Sequence, residues 1–136
     1  MAEPDNRSGE RPRITLIATG GTISMRADAT KGGAVPQLTG EEIVRAVPGI
    51  ERIARLEVAE FGRFPGPHMT IERMWELRHR IMEAITGGAD GVVVMHGTDT
   101  IEETAYLLDR SLPAGTPVVI TGAMRTSSEL SWDGPA

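Results

Sequence analysis

Two short polar segments hold most of the residues in this sequence that could do covalent chemistry. The first is TGGT at 19–22, where two glycines allow a sharp backbone turn next to the hydroxyl of Thr22. The second is HGTDT at 96–100, which contains Thr98 and Asp99 side by side. A threonine hydroxyl becomes a nucleophile once a base takes its proton, and an ionised carboxylate can hold a substrate ammonium group. These residue types are compatible with a hydroxyl nucleophile and a carboxylate anchor.

Each segment also has a purely structural interpretation. The first is compatible with a plain Gly-Gly turn in which Thr22 caps the following residues, and Asp99 and Thr100 are common helix caps. His96 is interpreted as a core or hinge histidine that donates to the backbone, in preference to a general base or half of a metal site. A phosphate-binding loop is disfavoured because the Walker spacing and its lysine are absent.

Composition narrows the class of protein. The chain has 136 residues, no cysteine and a net charge of −5, which predicts one domain without disulfides or thiolate metal sites. Lys31 is the only lysine, and the arginines are scattered, which argues against nucleic acid as the main partner. The first 13 residues lack a secretory signal and no apolar run reaches membrane-spanning length, so we expect a cytoplasmic protein without membrane attachment. No metal and no cofactor are predicted.

Strand and helix signals alternate along the chain. Helices are expected after Thr39, Thr70 and Thr100, the first and last with a glutamate three residues later that would complete a capping box. Apolar runs predict strands at 13–18, 53–61, 90–95 and 117–122. The order predicts an α/β fold with an open, largely parallel sheet and helices on both faces.

In such sheets, ligands bind beyond the carboxyl ends of the strands. Three of these ends carry polar or glycine-rich sequence, namely 19–22, 96–100 and TGAMR at 121–125, and we expect them to converge on one crevice. The intervening stretch 24–38 contains glycines and a proline with little periodicity, which predicts a long loop of the kind that often covers an active site.

The two threonine motifs, taken together, resemble the bacterial-type L-asparaginase family. TGGTI near the N-terminus and HGTDTIEETAYLLD about 75 residues later occur in this order in that family, and PVVITGAMR at 117–125 is similar to the strand and turn that follow. The resemblance covers residues 14–135. It implies an amidohydrolase with an N-terminal α/β catalytic domain, and it predicts that the chain forms a homo-oligomer.

The resemblance also implies roles for individual residues. Thr22 would attack the side-chain amide of the substrate, Thr98 would help to activate or position the nucleophile and water, and Asp99 would bind the α-ammonium group. Backbone amides near Gly21 and Thr98 are candidate oxyanion donors, and the stretch 24–38 would be the lid. We expect these residues to contact the substrate: Gly21, Gly66, Pro67, Gly97, Thr98, Asp99 and Ala123.

Several departures from the family pattern affect these expectations. The lid has no tyrosine, and Gly66-Pro67 stands where many members have a serine-glutamine pair. Members are commonly more than twice as long, with a second domain and a catalytic lysine that Lys31 does not match. The polar first dozen residues predict a disordered tail at 1–12. The resemblance implies an asparaginase-like catalytic domain at 13–136, which the missing second domain would leave incomplete. The alternatives are a catalytically weak domain that only binds aspartate-like ligands, and the ammonia-producing subunit of a transfer-RNA amidotransferase.

Overall fold

A computed structural model describes residues 10–136, which form a four-stranded sheet, a two-stranded hairpin and three α-helices. The strands are β1 (Arg13–Gly20), β2 (Met25–Asp28), β3 (Gly33–Pro36), β4 (Arg55–Phe64), β5 (Gly91–Met95) and β6 (Val118–Thr121). The helices are α1 (Gly40–Arg45), α2 (Ile71–Thr86) and α3 (Ile101–Ser111). No helix in residues 10–136 is long and apolar enough to cross a bilayer.

The predicted disordered tail at 1–12 lies mostly outside the described residues. Within the described part, the Pro12 carbonyl accepts a hydrogen bond from the Arg55 amide at 2.8 Å. The main chain is therefore already tied to β4 one residue before β1 begins.

The sheet has the strand order β4-β1-β5-β6, and all of its neighbouring strands are parallel. Ile14 in the central strand β1 lies opposite Leu56 on one side and Gly91 on the other. Parallel neighbours need crossover connections, and α1, α2 and α3 supply them. The predicted open, parallel α/β sheet is confirmed.

Apolar side chains from the sheet form two core layers, one on each face. Successive residues of a strand point to opposite faces, so Ile17 packs into one layer and Ala18 into the other. The layer under α2 and α3 consists of Ile17, Leu77, Ile81, Val92, Val94 and Leu108. The layer under α1 consists of Ala18, Ile23, Leu38, Ile43, Met95 and Ala123.

Two of the three predicted helix starts have the expected side-chain caps. Thr39 and Glu42 form a reciprocal capping box on α1, and Thr70 accepts a hydrogen bond from the third amide of α2. The capping box predicted at Thr100 is wrong, because this hydroxyl donates instead to the Gly66 carbonyl at 2.9 Å and makes no cap hydrogen bond. The Thr100 side chain is therefore bound to the neighbouring turn at Gly66 and does not cap α3.

The predicted long loop at 24–38 is wrong in its central part, where β2 and β3 form an antiparallel hairpin. Its turn is stabilised by Asp28, whose carboxylate accepts hydrogen bonds from the amide and the hydroxyl of Thr30 at 2.9 and 2.6 Å. These hydrogen bonds lower the pKa of Asp28, so the carboxylate is ionised over the neutral range. Strands of four residues are too short to show a clear periodicity, which explains the missed hairpin.

Two strand predictions also need correction. β4 was expected at 53–61, but it begins two residues later and ends three residues later, at Phe64. The sequence predicts helices on both faces of the sheet, but within residues 10–136 one face of β6 is uncovered, and Val119 there is 59% exposed. The helices of the described chain cover only one face of this edge strand, the face that carries Val118 and Ile120. On α2, the apolar residues Met74, Leu77 and Ile81 are buried, whereas Ile71 in the first turn is exposed.

Candidate active site

The strand order creates a crevice between the carboxyl ends of β1 and β5. The chain leaves β1 towards β4 on one side of the sheet and leaves β5 towards β6 on the other, so these neighbouring strands define a topological switch point. Such a point leaves an opening that is a common ligand site in α/β proteins. The segments 19–22 and 96–100 begin at these strand ends, as expected from the sequence.

Three glycines allow the walls of the crevice to touch. A Cβ atom added to Gly21 would lie 2.2 Å from the Gly97 Cα, and one added to Gly97 would lie 2.7 Å from the Gly66 Cα. Both distances are far below van der Waals contact, so no larger residue fits without moving the backbone. The ends of β1 and β5 and the turn after β4 therefore meet at these glycines.

The turn that carries Thr22 is a single turn of 3₁₀ helix at Thr22–Ser24. It begins at Gly21, whose φ of 77° is in the left-handed region that favours glycine. Ser24 closes the turn, because both its amide and its hydroxyl donate to the Gly21 carbonyl, at 3.0 and 2.9 Å. Thr22 is half-buried, and its hydroxyl makes no hydrogen bond to any residue from 10 to 136. It is available to a ligand.

Thr98, Asp99 and Thr100 form a second 3₁₀ turn, which leads directly into α3. Asp99 is exposed and packs against the Cα of Gly66, because a Cβ on that glycine would lie 2.4 Å from a carboxylate oxygen. The expectation that Asp99 caps α3 is wrong, since the carboxylate makes no hydrogen bond within the described chain. The Thr98 methyl group faces Gly122, at the end of β6.

His96 has a structural role beneath this turn. Its ring is fully buried, with Nδ1 2.7 Å from the Gly97 carbonyl and Nε2 2.9 Å from the Thr104 hydroxyl. A carbonyl can only accept, so Nδ1 carries the proton and Nε2 accepts from Thr104. Burial lowers the pKa of His96, which keeps the ring neutral. The interpretation of His96 as a core histidine agrees with this geometry.

The sequence interpretation did not identify Thr104, the polar partner of His96 on α3. The structure buries Thr104 completely and leaves Ala105 exposed. The signal was present in the spacing, because Thr104 lies eight residues after His96 and three after Ile101, on the side of α3 that faces the sheet. A buried histidine needs a polar partner, and a threonine on the next helix supplies one.

The structure brings most of the predicted site residues together. Gly21, Gly66 and Gly97 touch, Thr22 and Thr98 each follow one of these glycines, and Asp99 lies against Gly66. Pro67 is exposed in the turn at Gly66–His68. The Ala123 side chain is buried in the core layer under α1, so only its backbone is available to a ligand.

A cavity of about 680 Å³ lies elsewhere, beside β1, β4 and the C-terminal part of α2. It is lined by mixed charges such as Arg55, Glu57 and Arg80 and contains no residue of the two threonine segments. The crevice is the better candidate site, because the free hydroxyls and the carboxylate lie there and do not line this cavity.

Comparison with known proteins gives consistent matches. The family model described as asparaginase, N-terminal, matches residues 13–136. A probable L-asparaginase of Deinococcus radiodurans is 48% identical over 91% of this chain and 36% of its own length. A glutamyl-tRNA(Gln) amidotransferase subunit of Methanosarcina barkeri is 34% identical over 96% of this chain and 31% of its own length.

Among solved structures, a probable cytoplasmic L-asparaginase from Campylobacter jejuni is similar, with a TM-score of 0.81 and 36% identity. The match covers 92% of this chain and 37% of that one. The chain thus spans about a third of the length of the relatives that it matches.

Proposed function

The chain belongs to the asparaginase family, and on this premise we propose that it hydrolyses the side-chain amide of L-asparagine to aspartate and ammonia through a threonine ester. The proposal is supported most by the backbone contact between Gly21 and Gly97, each of which precedes a threonine at the crevice. Because the chain spans about a third of its relatives' length, the activity of a whole enzyme is part of the proposal.

In the proposed reaction, Thr22 is the nucleophile. Its Oγ adds to the amide carbon of the substrate, the C–N bond breaks, and the hydroxyl proton ends on the departing nitrogen as ammonia. Water then adds to the ester, aspartate leaves, and the hydroxyl of Thr22 is restored. The Thr22 hydroxyl makes no hydrogen bond within residues 10–136. This supports the role, because a nucleophile must be free to contact its substrate.

The neighbouring residues have supporting roles in the proposal. The Thr98 hydroxyl positions the nucleophile and the incoming water, and the Asp99 carboxylate binds the α-ammonium group of the substrate. The backbone amides of Thr22 and Thr98 stabilise the oxyanion of the tetrahedral intermediate, since the amide of Gly21 already donates to the Phe64 carbonyl. The absence of any hydrogen bond from Asp99 to the described chain supports the anchor role, because its acceptor capacity is free for a cation.

The test is ammonia release from L-asparagine by the wild type and by the Thr22→Ala variant. We expect Thr22→Ala to lose about 10³-fold or more of the rate, and Thr22→Ser to retain part of it. Thr86→Ala removes an exposed threonine at the end of α2 and is the matched control, with unchanged activity. Equal rates in wild type and Thr22→Ala would exclude Thr22 as the nucleophile.

Asp99→Asn tests the anchor separately. Loss of the charge should weaken the binding of L-aspartate about 10- to 100-fold in calorimetry, because hydrogen bonds to charged groups contribute about 1.5–3 kcal/mol. Binding without ammonia release by the wild type would support the alternative of a binding domain. Undiminished binding by Asp99→Asn would exclude the anchor role.

A second candidate function is the ammonia-producing subunit of a transfer-RNA amidotransferase. It is supported by the similarity to the amidotransferase subunit of Methanosarcina barkeri. The two are distinguished by substrate requirements: an asparaginase releases ammonia from free asparagine, whereas the amidotransferase component would need its partner and charged transfer RNA for full activity. We also propose a homo-oligomer in the cytoplasm, to be checked by light scattering and by cell fractionation.

A further inference from the structure

The hairpin after the Thr22 turn is attached to that turn at its base. We call residues 25–36, which comprise β2, β3 and the turn between them, the lid hairpin. The amides of Gln37 and Leu38, which follow it, both donate to the Ser24 carbonyl, at 2.9 and 3.0 Å. Ser24 in turn donates to Gly21. Any movement of the hairpin base therefore acts on the turn that holds Thr22.

A second segment, from the other end of the described chain, is folded into a closed loop. We call residues 123–133, which follow β6, the strap. The Asp133 carboxylate accepts hydrogen bonds from the amides of Met124 and Arg125, at 3.1 and 2.9 Å. These bonds lower the pKa of Asp133. The strap is thus closed by hydrogen bonds between its two ends.

The strap is hydrogen-bonded to the free edge of β2. The Met25 carbonyl accepts hydrogen bonds from both the amide and the hydroxyl of Ser127, at 3.0 and 2.9 Å. The Ala27 amide donates to the Ser128 hydroxyl at 2.9 Å. One edge of β2 therefore pairs with β3, while the other is held by residues about a hundred positions away in sequence.

The strap also contacts the Thr22 turn directly. Trp132 packs against the core layer that contains Ile23, the residue after Thr22. Gly134, just beyond the strap, fits closely beside Ile23, since an added Cβ would lie 3.0 Å from its side chain. The strap thus touches both the lid hairpin and the turn of the proposed nucleophile.

We propose that Ser127 and Ser128 are positioning residues for the proposed amide hydrolysis. Their hydroxyls hold the lid hairpin, and with it the turn of Thr22, in one arrangement, so that a substrate meets an ordered wall of the crevice. This inference rests on the proposed function, because it assigns the two serines a part in that reaction without contact to the substrate.

The chain offers a direct probe of hairpin opening. Lys31, the only lysine, lies in the turn of the lid hairpin, where its amide donates a hydrogen bond to the Asp28 carbonyl. Lysyl endopeptidase therefore has one site, and cleavage there should become faster when the hairpin opens locally, because a protease binds its substrate as an extended segment. The Ser127→Ala/Ser128→Ala double variant loses two hydrogen bonds to β2 and should be cleaved about tenfold faster than the wild type.

Ser131→Ala is the matched control, because its hydroxyl makes no hydrogen bond within the described residues although it lies in the strap. We expect its cleavage rate to equal that of the wild type. The Ser127→Thr/Ser128→Thr variant keeps both hydroxyls and should restore slow cleavage. An unchanged cleavage rate in the double alanine variant would overturn the anchoring on which the proposal depends.

Kinetics then separate positioning from mere stability. The double alanine variant should show a KM for L-asparagine raised several-fold with a smaller change in kcat, because binding must now also order the hairpin. The threonine variant should restore the KM. Faster cleavage with an unchanged KM would overturn the positioning role alone, whereas no ammonia release by the wild type would overturn the proposed function itself.

Discussion

Replacing Gly97 by alanine tests the contact on which the crevice depends. Gly97 has φ −73° and ψ 142°, a conformation that any residue adopts, so the substitution introduces no backbone strain. The new Cβ would lie 2.7 Å from the Gly66 Cα and 3.2 Å from the Gly21 Cα. Carbon atoms prefer a separation of about 3.5–4.0 Å, so the segments must separate by about 1 Å.

The expected loss of stability in Gly97→Ala follows from the kind of atoms that surround the new methyl group. Both neighbours of the new methyl group are backbone atoms, which cannot rotate away as a side chain would. Overpacking of this kind costs about 1–3 kcal/mol, which for a chain of this size lowers the Tm by about 3–10 °C. Because a displacement of about 1 Å at a reacting centre can cost about 10²-fold in rate, activity should fall more than stability does.

The assay is thermal unfolding followed by circular dichroism, together with ammonia release from L-asparagine. Gly33→Ala is the matched control for stability, because an added Cβ there meets no atom within 4 Å and the φ is not positive. This control should melt at the wild-type temperature or slightly above it, since alanine restricts the unfolded chain. A Gly97→Ala variant with wild-type Tm and rate would refute the proposed contact between the crevice walls.

Two further predictions concern His96. Burial lowers the pKa of His96 below its ordinary value of 6.5. As the pH falls through 6.5, the unfolded chain therefore binds more protons than the folded chain does. The free energy of unfolding should decrease below pH 6.5 by up to about 1.4 kcal/mol per pH unit. Urea unfolding at several pH values should show this decrease in the wild type and in the exposed-histidine control His79→Gln, and a shallower one in His96→Gln. Thr104→Val removes the donor to Nε2 and should cost about 1–3 kcal/mol in urea unfolding, whereas Thr104→Ser keeps the hydroxyl and should cost less; equal losses would contradict the hydrogen-bond explanation.

The parts of the fold that were predictable from sequence are those set by local signals. The capping box at Thr39 and Glu42, the Thr70 cap and the apolar runs of β1 and β5 depend on residues a few positions apart. The convergence of 19–22 and 96–100 also followed, because parallel strands place their carboxyl ends at one edge. Roles of individual site residues remain predictions.

The missed features depend on partners distant in sequence. The lid hairpin is supported along one edge by Ser127 and Ser128, which no local pattern around 24–38 could show. The Thr100 hydroxyl turned to Gly66, a competitor 34 residues earlier. The exposure of Val119 depends on which elements pack against β6, and the apolar sequence of the strand does not show that only one of its faces is covered.

The central position of β1 has a consequence for how the protein folds. Its neighbour β5 lies far along the chain, as the hydrogen bond from Thr19 to the Met95 carbonyl, 76 residues away, illustrates. The chain must lose the entropy of closing so long a loop before the contact contributes any stabilisation. Topologies rich in such distant pairings therefore fold slowly. The threonine segments meet only when this pairing forms. A newly made chain can therefore complete its crevice only after the most distant partners of the sheet have paired.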